Sequence, residues 1–369
     1  MQKPLLFILI IVVAFSCKEN STHNSDQREK PAATSEENWV TLSGRTMGTV
    51  YNIKFDSQGK VNKSLKRTID STLVSINDAV STYEPQSIIS KFNNPETNEL
   101  ALNGSTFFHQ HFIINYLSSQ LVYSDTNGAF DATVMPLVNY WGFGYTEKKP
   151  VEQIDSQKVS RILELVGMDK ISDTKDTDDK SINNFIISKS IPGISLDFSA
   201  IAKGYAVDVI ADFLDDQDIK TFMVEIGGEV KVATDTTSNK VWKIGINEPL
   251  KDSPVNSLNA IVNPVNNAMA TSGNYRNYHE TKELSYGHEI NPKTGFPLQT
   301  DIFSASVITE SCKMADAYAT AFMIMGLEKS LSFVNSRPNF EACFITLEDG
   351  ELVNIYSNGF EEYLVDTKN

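Results

Sequence analysis

Cysteine is scarce in this chain, with three in 369 residues, at positions 17, 312 and 343. A disulfide framework is thereby excluded, because beyond Cys17 in the N-terminal segment only Cys312 and Cys343 are left to pair. Both read equally well as buried free thiols, and Cys312, with no metal-ligand spacing and no obvious base, reads as packing and not as a nucleophile. Positive charge is also in short supply: 32 Lys and Arg face 47 Asp and Glu, a formal charge of −15. Nucleic acid and anionic membrane surfaces are disfavoured as partners, since both attract basic patches. A small polyanion stays admissible, provided that a cation supplies the positive charge the protein lacks. Long apolar runs are missing too, apart from Leu5 to Phe15, which is too short to span a bilayer comfortably.

What is present is ample core-forming material, 41% hydrophobic and 10% aromatic residues, enough for one large domain or two ordinary ones. The Leu5–Phe15 run, preceded by Lys3, has the length of a signal-peptide hydrophobic region. It leads into Ala14-Phe15-Ser16-Cys17, which resembles a bacterial lipobox, so residues 1–16 would be a lipoprotein signal and Cys17 would carry the lipid. Residues 18–38 contain no large apolar side chain and read as a flexible tether, unable to bury enough surface to offset ordering. The expected organisation is a signal at 1–16, the lipidated Cys with a disordered tether at 17–38, and a folded domain at 39–369. Such a protein would be exported, anchored to a bacterial membrane through its lipid, and facing the periplasm.

Periodicity sets the elements. Tyr51, Ile53 and Phe55 alternate with polar residues as in a half-buried strand, while Leu65, Ile69, Leu73, Ile76 and Val80 form a helical stripe. Phe108, Phe112, Leu117 and Leu121 suggest a second helix, and Asp155 to Gly167 a third. Ser172 to Lys180 reads as an acidic surface loop, and Ile194 to Phe198 as a strand running into a helix capped by Ser199. Phe222 to Val230 reads as a strand interrupted by Gly227 and Gly228 at a bulge or close ligand approach. Phe303 to Ile308 feeds a small-residue helix over Glu310 to Gly326, with Ser311 at its cap and Gly326 at its end, and a last hairpin turns at Asp349-Gly350.

The Glu310–Gly326 helix carries chemistry. Asp316 and Thr320 are four residues apart and share a face, and a carboxylate with a hydroxyl suits a hard cation such as Mg²⁺ that keeps room for substrate phosphate. Taken alone, the pair would read as a solvated Asp and a core-edge Thr. Lys203 lies in the first turn after a strand-to-helix junction, an anion site, and a cation placed there against the helix dipole suits a phosphate or nucleotide partner. Asp131 stands among small residues in the aromatic and Gly-rich segment Asn127 to Gly144, where it can accept from ring or ribose donors of a planar ligand; a plain aromatic minicore is the equal alternative. Tyr83 in a hydroxyl-rich turn could pack on a flat ring, with core-capping as its default. Among the five His, His288 sits in a loop rich in turn residues, where catalytic groups concentrate, whereas His279 reads as exposed.

The order of these motifs says more than any one of them. Thr46-Met47-Gly48-Thr49, Ser81-Thr82-Tyr83, Gly128-Ala129-Phe130-Asp131, Ala202-Lys203-Gly204-Tyr205, Gly227-Gly228, Thr271-Ser272-Gly273, His288 with Pro292-Lys293-Thr294-Gly295, and Ala315-Asp316-Ala317 with Thr320 follow one another as in the ApbE family of flavin transferases, which the chain resembles over residues 39–358. The resemblance implies an α+β fold, a single catalytic domain of two intimately packed α/β subdomains with the flavin nucleotide between them. It implies the activity of an FAD:protein FMN transferase: Mg²⁺-dependent splitting of the FAD pyrophosphate, transfer of FMN to a Thr or Ser hydroxyl of an acceptor protein, and release of AMP. Metal ligands are implied at Asp316, Thr320 and the backbone carbonyl of Ala200, and FAD contacts at Met47, Tyr83, Ala129, Asp131, Lys203, Thr271 and His288. Catalytic roles fall on Asp316 and on His288, which would activate the acceptor hydroxyl or steady the phosphate. Typical family acceptors are subunits of Na⁺-pumping respiratory complexes. Many family members carry Asp where Asn291 stands, leaving that position a turn or hydrogen-bonding role. The same FAD and Mg²⁺ site would serve an FAD pyrophosphatase, with water replacing the acceptor hydroxyl, or a flavin-binding lipoprotein that does no chemistry.

Overall fold

The computed structural model describes residues 38–59, 64–146, 149–175, 184–250, 253–254, 257–274, 278–281 and 284–365. The expected signal, Cys17 and the tether up to residue 37 lie outside the described residues. The hairpin β1 (Trp39–Thr46) and β2 (Thr49–Asp56) is followed by α1 (Leu65–Val80), α2 (Ile88–Asn93), β3 (Glu99–Leu102), α3 (Phe107–Asp125), α4 (Met135–Tyr140) and α5 (Ser156–Leu163). Next come β4 (Ile171–Lys175), β5 (Phe185–Lys189), α6 (Ala202–Asp216), β6 (Phe222–Ile226), β7 (Glu229–Ala233), β8 (Ile244–Asn247) and β9 (Leu258–Val262). The chain continues through β10 (Ala268–Gly273), β11 (Tyr278–Glu280), β12 (Ser285–Gly287), β13 (Ile302–Thr309), α7 (Cys312–Met325), α8 (Leu327–Asn335), β14 (Glu341–Glu348) and β15 (Glu351–Tyr356).

Eight strands build one antiparallel sheet in the order β1-β2-β6-β7-β10-β13-β14-β15. Both of its faces are covered, so β13 is buried at almost every position instead of alternately. On one face α6 and α7 lie across β6, β7, β10 and β13. On the other, Val230, Trp242, Ile246, Met269, Ile345 and Phe360 make a second core, to which the β8–β9 ribbon contributes. The predicted stripe of α1 is buried as expected and packs on α3. A smaller cluster of Leu137, Trp141, Val159, Val166 and Ile290 ties α4 and α5 to the loop after β12, with the Trp141 indole N–H donating to the Gly295 carbonyl at 2.8 Å.

Helices α6 and α7 approach closely because Gly204 has no side chain; a Cβ there would collide with the backbone of Cys312. The start of α7 is capped from α6: the Asp208 carboxylate accepts from the N–H groups of Cys312 at 2.9 Å and Lys313 at 3.1 Å, and from the Ser311 hydroxyl at 2.8 Å. Its negative charge faces the positive end of the helix dipole, and Lys231 pairs with it at 3.0 Å. Ser311, expected to cap α7, therefore donates its hydroxyl elsewhere.

Other expectations change for local reasons. Ser199 does not cap α6, which starts at Ala202; its hydroxyl and N–H both go to Asp197. Ile194 to Phe198 belongs to no strand, the amides of Leu196 and Asp197 bonding instead to the Asn93 side chain and the Ala132 carbonyl. Gly227 and Gly228, with φ of 62° and 107°, form the turn of the β6–β7 hairpin and not a bulge within one strand. The expected acidic loop begins as strand β4, paired with β5, and its remainder from 176 to 180 lies outside the described residues. In α3 the buried positions include His111, Phe112, Asn115, Tyr116 and Val122, while Leu121 is 52% exposed, because α1, α2 and α7 press on the helix from another side. Cys312 and Cys343 are buried free thiols.

If Asp208 is the cap of α7, Asp208→Ala should lower stability by about 2–4 kcal/mol, through the lost cap and the stranded Lys231. Ser311→Ala should cost less than about 1 kcal/mol. Urea unfolding followed by circular dichroism measures both, and a larger loss in Ser311→Ala would contradict the assignment.

Candidate active site

A cavity of about 450 Å³ opens where the first turn of α6, the inner face of α7, the start of β7, the end of β10 and four connecting segments converge. These segments contribute Thr82-Tyr83, residues between Ala129 and Gly144 on and around α4, Asp197 with Ser199-Ala200, and His288-Glu289-Ile290 with Pro292. The volume is in the range of small-molecule sites.

At one end of the cavity, charge is concentrated on few groups. Asp316 is buried on α7, accepting from the Gly204 N–H at 3.1 Å, and the Lys203 ammonium stands 3.7 Å away. The same ammonium donates to Glu229 at 2.7 Å. Burial opposes the charge of Lys203, yet Asp316 and Glu229 together outweigh it and hold its pKa above the usual lysine value. The carboxylates do not fare as well. Burial pushes Glu229 up to about 7, with Lys203 offsetting only part of the penalty, and it raises Asp316 in the same way. The second Glu229 oxygen is buried without a hydrogen-bond partner. One cation thus serves two carboxylates, and the cluster is short of positive charge.

One turn beyond Asp316, the Thr320 hydroxyl lies in the same wall and exchanges a 2.9 Å hydrogen bond with Ser272 of β10. Thr271, beside it, bonds to Ser306 at 2.8 Å. Ala200 lines the cavity from the loop before α6. Asp131, also in the cavity wall, is buried, and burial pushes its carboxyl up to about 6 against the hydrogen bonds from Thr133. Tyr83 stands at the mouth, 60% exposed.

The structure therefore gathers Tyr83, Ala129, Asp131, Ala200, Lys203, Thr271, His288, Asp316 and Thr320 around one cavity. Met47 is not brought in. It closes the β1–β2 turn with a φ of 48°, followed by Gly48 at 72°, and its side chain packs on the main core. Asn291 does not line the cavity either; its side chain and carbonyl accept from Lys293 and Gly295 and hold the turn. His279, expected to be exposed, is half-buried, stacked 4.4 Å from the Phe143 ring and bonded to the Gly142 carbonyl at 3.1 Å. Sequence reasoning passed over Glu229, Ser272 and Glu289. The available signals were an acidic residue directly after Gly227-Gly228, a hydroxyl inside Thr271-Ser272-Gly273, and a carboxylate directly after His288.

In fold, the chain is close to solved flavin transferases. It matches flavin transferase ApbE from Vibrio cholerae with a TM-score of 0.75 and 33% identity, covering 88% of this chain and 99% of that one. The flavinyl transferase ApbE of Pseudomonas stutzeri superposes with a TM-score of 0.74 at 27% identity, over 88% of this chain and 96% of its own. The fold is thus that of the flavin transferase class. In sequence, the model of the ApbE family matches residues 47–344. Similar curated proteins include the FAD:protein FMN transferases of Vibrio cholerae, 36% identical over 91% of this chain and 94% of that protein, and of Haemophilus influenzae, 33% identical over 89% and 92%. The chain belongs to the ApbE family.

Glu289 supplies a pH test. Burial pushes its carboxyl up to about 8, so the ligand-free folded protein holds that proton more tightly than the unfolded chain, where Glu titrates near about 4.3. The stability tied to this proton is intact below the unfolded value and is lost as pH rises through about 8. Glu289→Gln removes the linkage, so the fall in urea midpoint between about pH 5 and 8 should be shallower than in the parent protein. Equal slopes would contradict the burial of an unpaired carboxyl.

Proposed function

We propose that the cavity holds FAD and that the protein transfers FMN from it to a Ser or Thr hydroxyl of an acceptor protein, releasing AMP. The observation that carries this reading is the charge-deficient cluster of Asp316, Glu229 and Lys203 in the wall of a nucleotide-sized cavity. Family membership and the relatives named FAD:protein FMN transferase support it.

The donor set fits Mg²⁺. Asp316, Thr320 and Ala200 offer a carboxylate, a hydroxyl and a backbone carbonyl, all oxygen, as a hard cation requires. Among the described residues no cluster of three or more His, Cys, Asp or Glu is arranged for a metal, and this mixed oxygen set needs none. When bound, Mg²⁺ would neutralise pyrophosphate charge and favour departure of AMP. Lys203 keeps the two carboxylates in place and adds positive charge next to the phosphates. Asp131 and Tyr83, in the same cavity wall, orient the nucleotide. The acceptor oxygen bonds to the FMN phosphorus as the bond from that phosphorus to the bridging oxygen breaks. AMP leaves with the bridging oxygen, and His288 takes the hydroxyl proton.

The N-terminal sequence supports an exported protein, held on a bacterial membrane by a lipid on Cys17 and facing the periplasm, where an electron-transport subunit would be its acceptor. Cys17→Ala should release the protein from washed membranes, and retention of that variant would argue against the anchor.

Incubation with FAD, Mg²⁺ and a candidate acceptor should add the mass of FMN less one water to the acceptor. Asp316→Ala should lower that rate by about a hundredfold or more while FAD still binds. Full activity in that variant would refute the metal assignment. Free FMN and AMP without an adduct would establish hydrolysis instead.

A further inference from the structure

Glu289 sits in the cavity wall directly after His288, 7% exposed, and its Oε2 is buried without a hydrogen-bond partner. Its backbone is fixed, because its carbonyl accepts from the Leu298 N–H at 2.8 Å. The cavity wall has an apolar and aromatic part: Ile290 follows Glu289 in the chain, Phe143 stands 6.2 Å from the His288 ring, and Phe130 and Val138 also line the cavity. An unpaired carboxyl in such a place is costly and is retained where a ligand completes it. With burial raising its pKa to about 8, the group carries its proton near neutrality and offers an O–H donor. A planar nitrogen heterocycle has ring nitrogens or ring carbonyls that accept from such a donor, and flat faces that suit the surrounding rings.

We propose that the Glu289 carboxyl is the hydrogen-bond partner of a planar nitrogen heterocycle of the bound dinucleotide, seating one ring system of FAD in the apolar part of the cavity. The inference rests on FAD occupying this cavity. Isoalloxazine and adenine share the required chemistry, and the test separates them. Glu289 acts in binding, apart from the charged cluster around Asp316.

The experiment measures FAD affinity by fluorescence quenching, with FMN and ADP as competitors, in the intact protein and in Glu289→Leu, Glu289→Gln and Val138→Trp. Glu289→Leu should weaken FAD about tenfold, and only the competitor carrying the seated ring should weaken with it. Glu289→Gln, which keeps a donor and an acceptor, should stay within about threefold of the parent. Unchanged FAD affinity in Glu289→Leu, equal weakening of FMN and ADP, or equal damage from Gln and Leu would each overturn the inference. A merely structural carboxyl would give the first of these, since Leu in its place keeps the shape of the wall. Thermal unfolding checks that each variant is folded. Val138→Trp fills the cavity from its half-buried rim. If it abolishes FAD binding while Glu289→Leu changes nothing, only the Glu289 inference falls; if it leaves FAD binding intact, FAD does not occupy the cavity and the wider reading falls too.

Discussion

The crossing of α6 and α7 at Gly204 is the constraint on which the rest depends. The missing side chain lets the two helices touch, and the contact has a chemical yield: the Gly204 N–H, one of the free donors at the start of α6, bonds to Asp316 on α7. Farther along α6, Asp208 takes the corresponding donors at the start of α7. Each helix thus neutralises part of the other's end, and the pair fixes Asp316 to within the length of a hydrogen bond. The alanines on either side of Asp316 and Thr320 are buried and keep α7 close to β10 and β13.

That rigidity makes sense of a cluster that is unfavourable on its own. Two buried carboxylates share one ammonium, and one oxygen of Glu229 has no partner. A protein at its stability optimum would have replaced some of these groups with apolar ones. Their retention at the wall of a cavity is what a site that binds a cation together with a polyanion requires, because the ligands complete the charge balance. It also answers the puzzle of a chain with a formal charge of −15 whose relatives act on a dinucleotide. Local positive charge from Lys203, joined by the proposed metal, would do what the net charge does not.

Much of this was legible in the sequence, for identifiable reasons. The spacing of Asp316 and Thr320 puts both on one helical face whatever the tertiary structure, and the α1 stripe and the β2 alternation are equally local. The residues implied by the order of motifs, Met47 excepted, lie in the wall of one cavity. What escaped was set by distance along the chain. Asp208 caps a helix that begins 104 residues later, a partnership no local pattern announces. Glu229 reaches Lys203 only because Gly227 and Gly228 turn the chain into a hairpin where a strand interrupted at a bulge was expected. Met47, implied as an FAD contact, packs on the core from the β1–β2 turn, and His279 is covered by Phe143, which lies far away in sequence.

The central claim is that Asp316, Thr320 and Ala200 form the cation end of the nucleotide cavity. Crystals grown with FAD and Mn²⁺, an anomalous scatterer with the oxygen preference of Mg²⁺, test it most directly. The account predicts an anomalous peak bound by the Asp316 carboxylate, the Thr320 hydroxyl and the Ala200 carbonyl, in contact with the pyrophosphate. A peak held by other residues, or FAD seated outside this cavity, would contradict it.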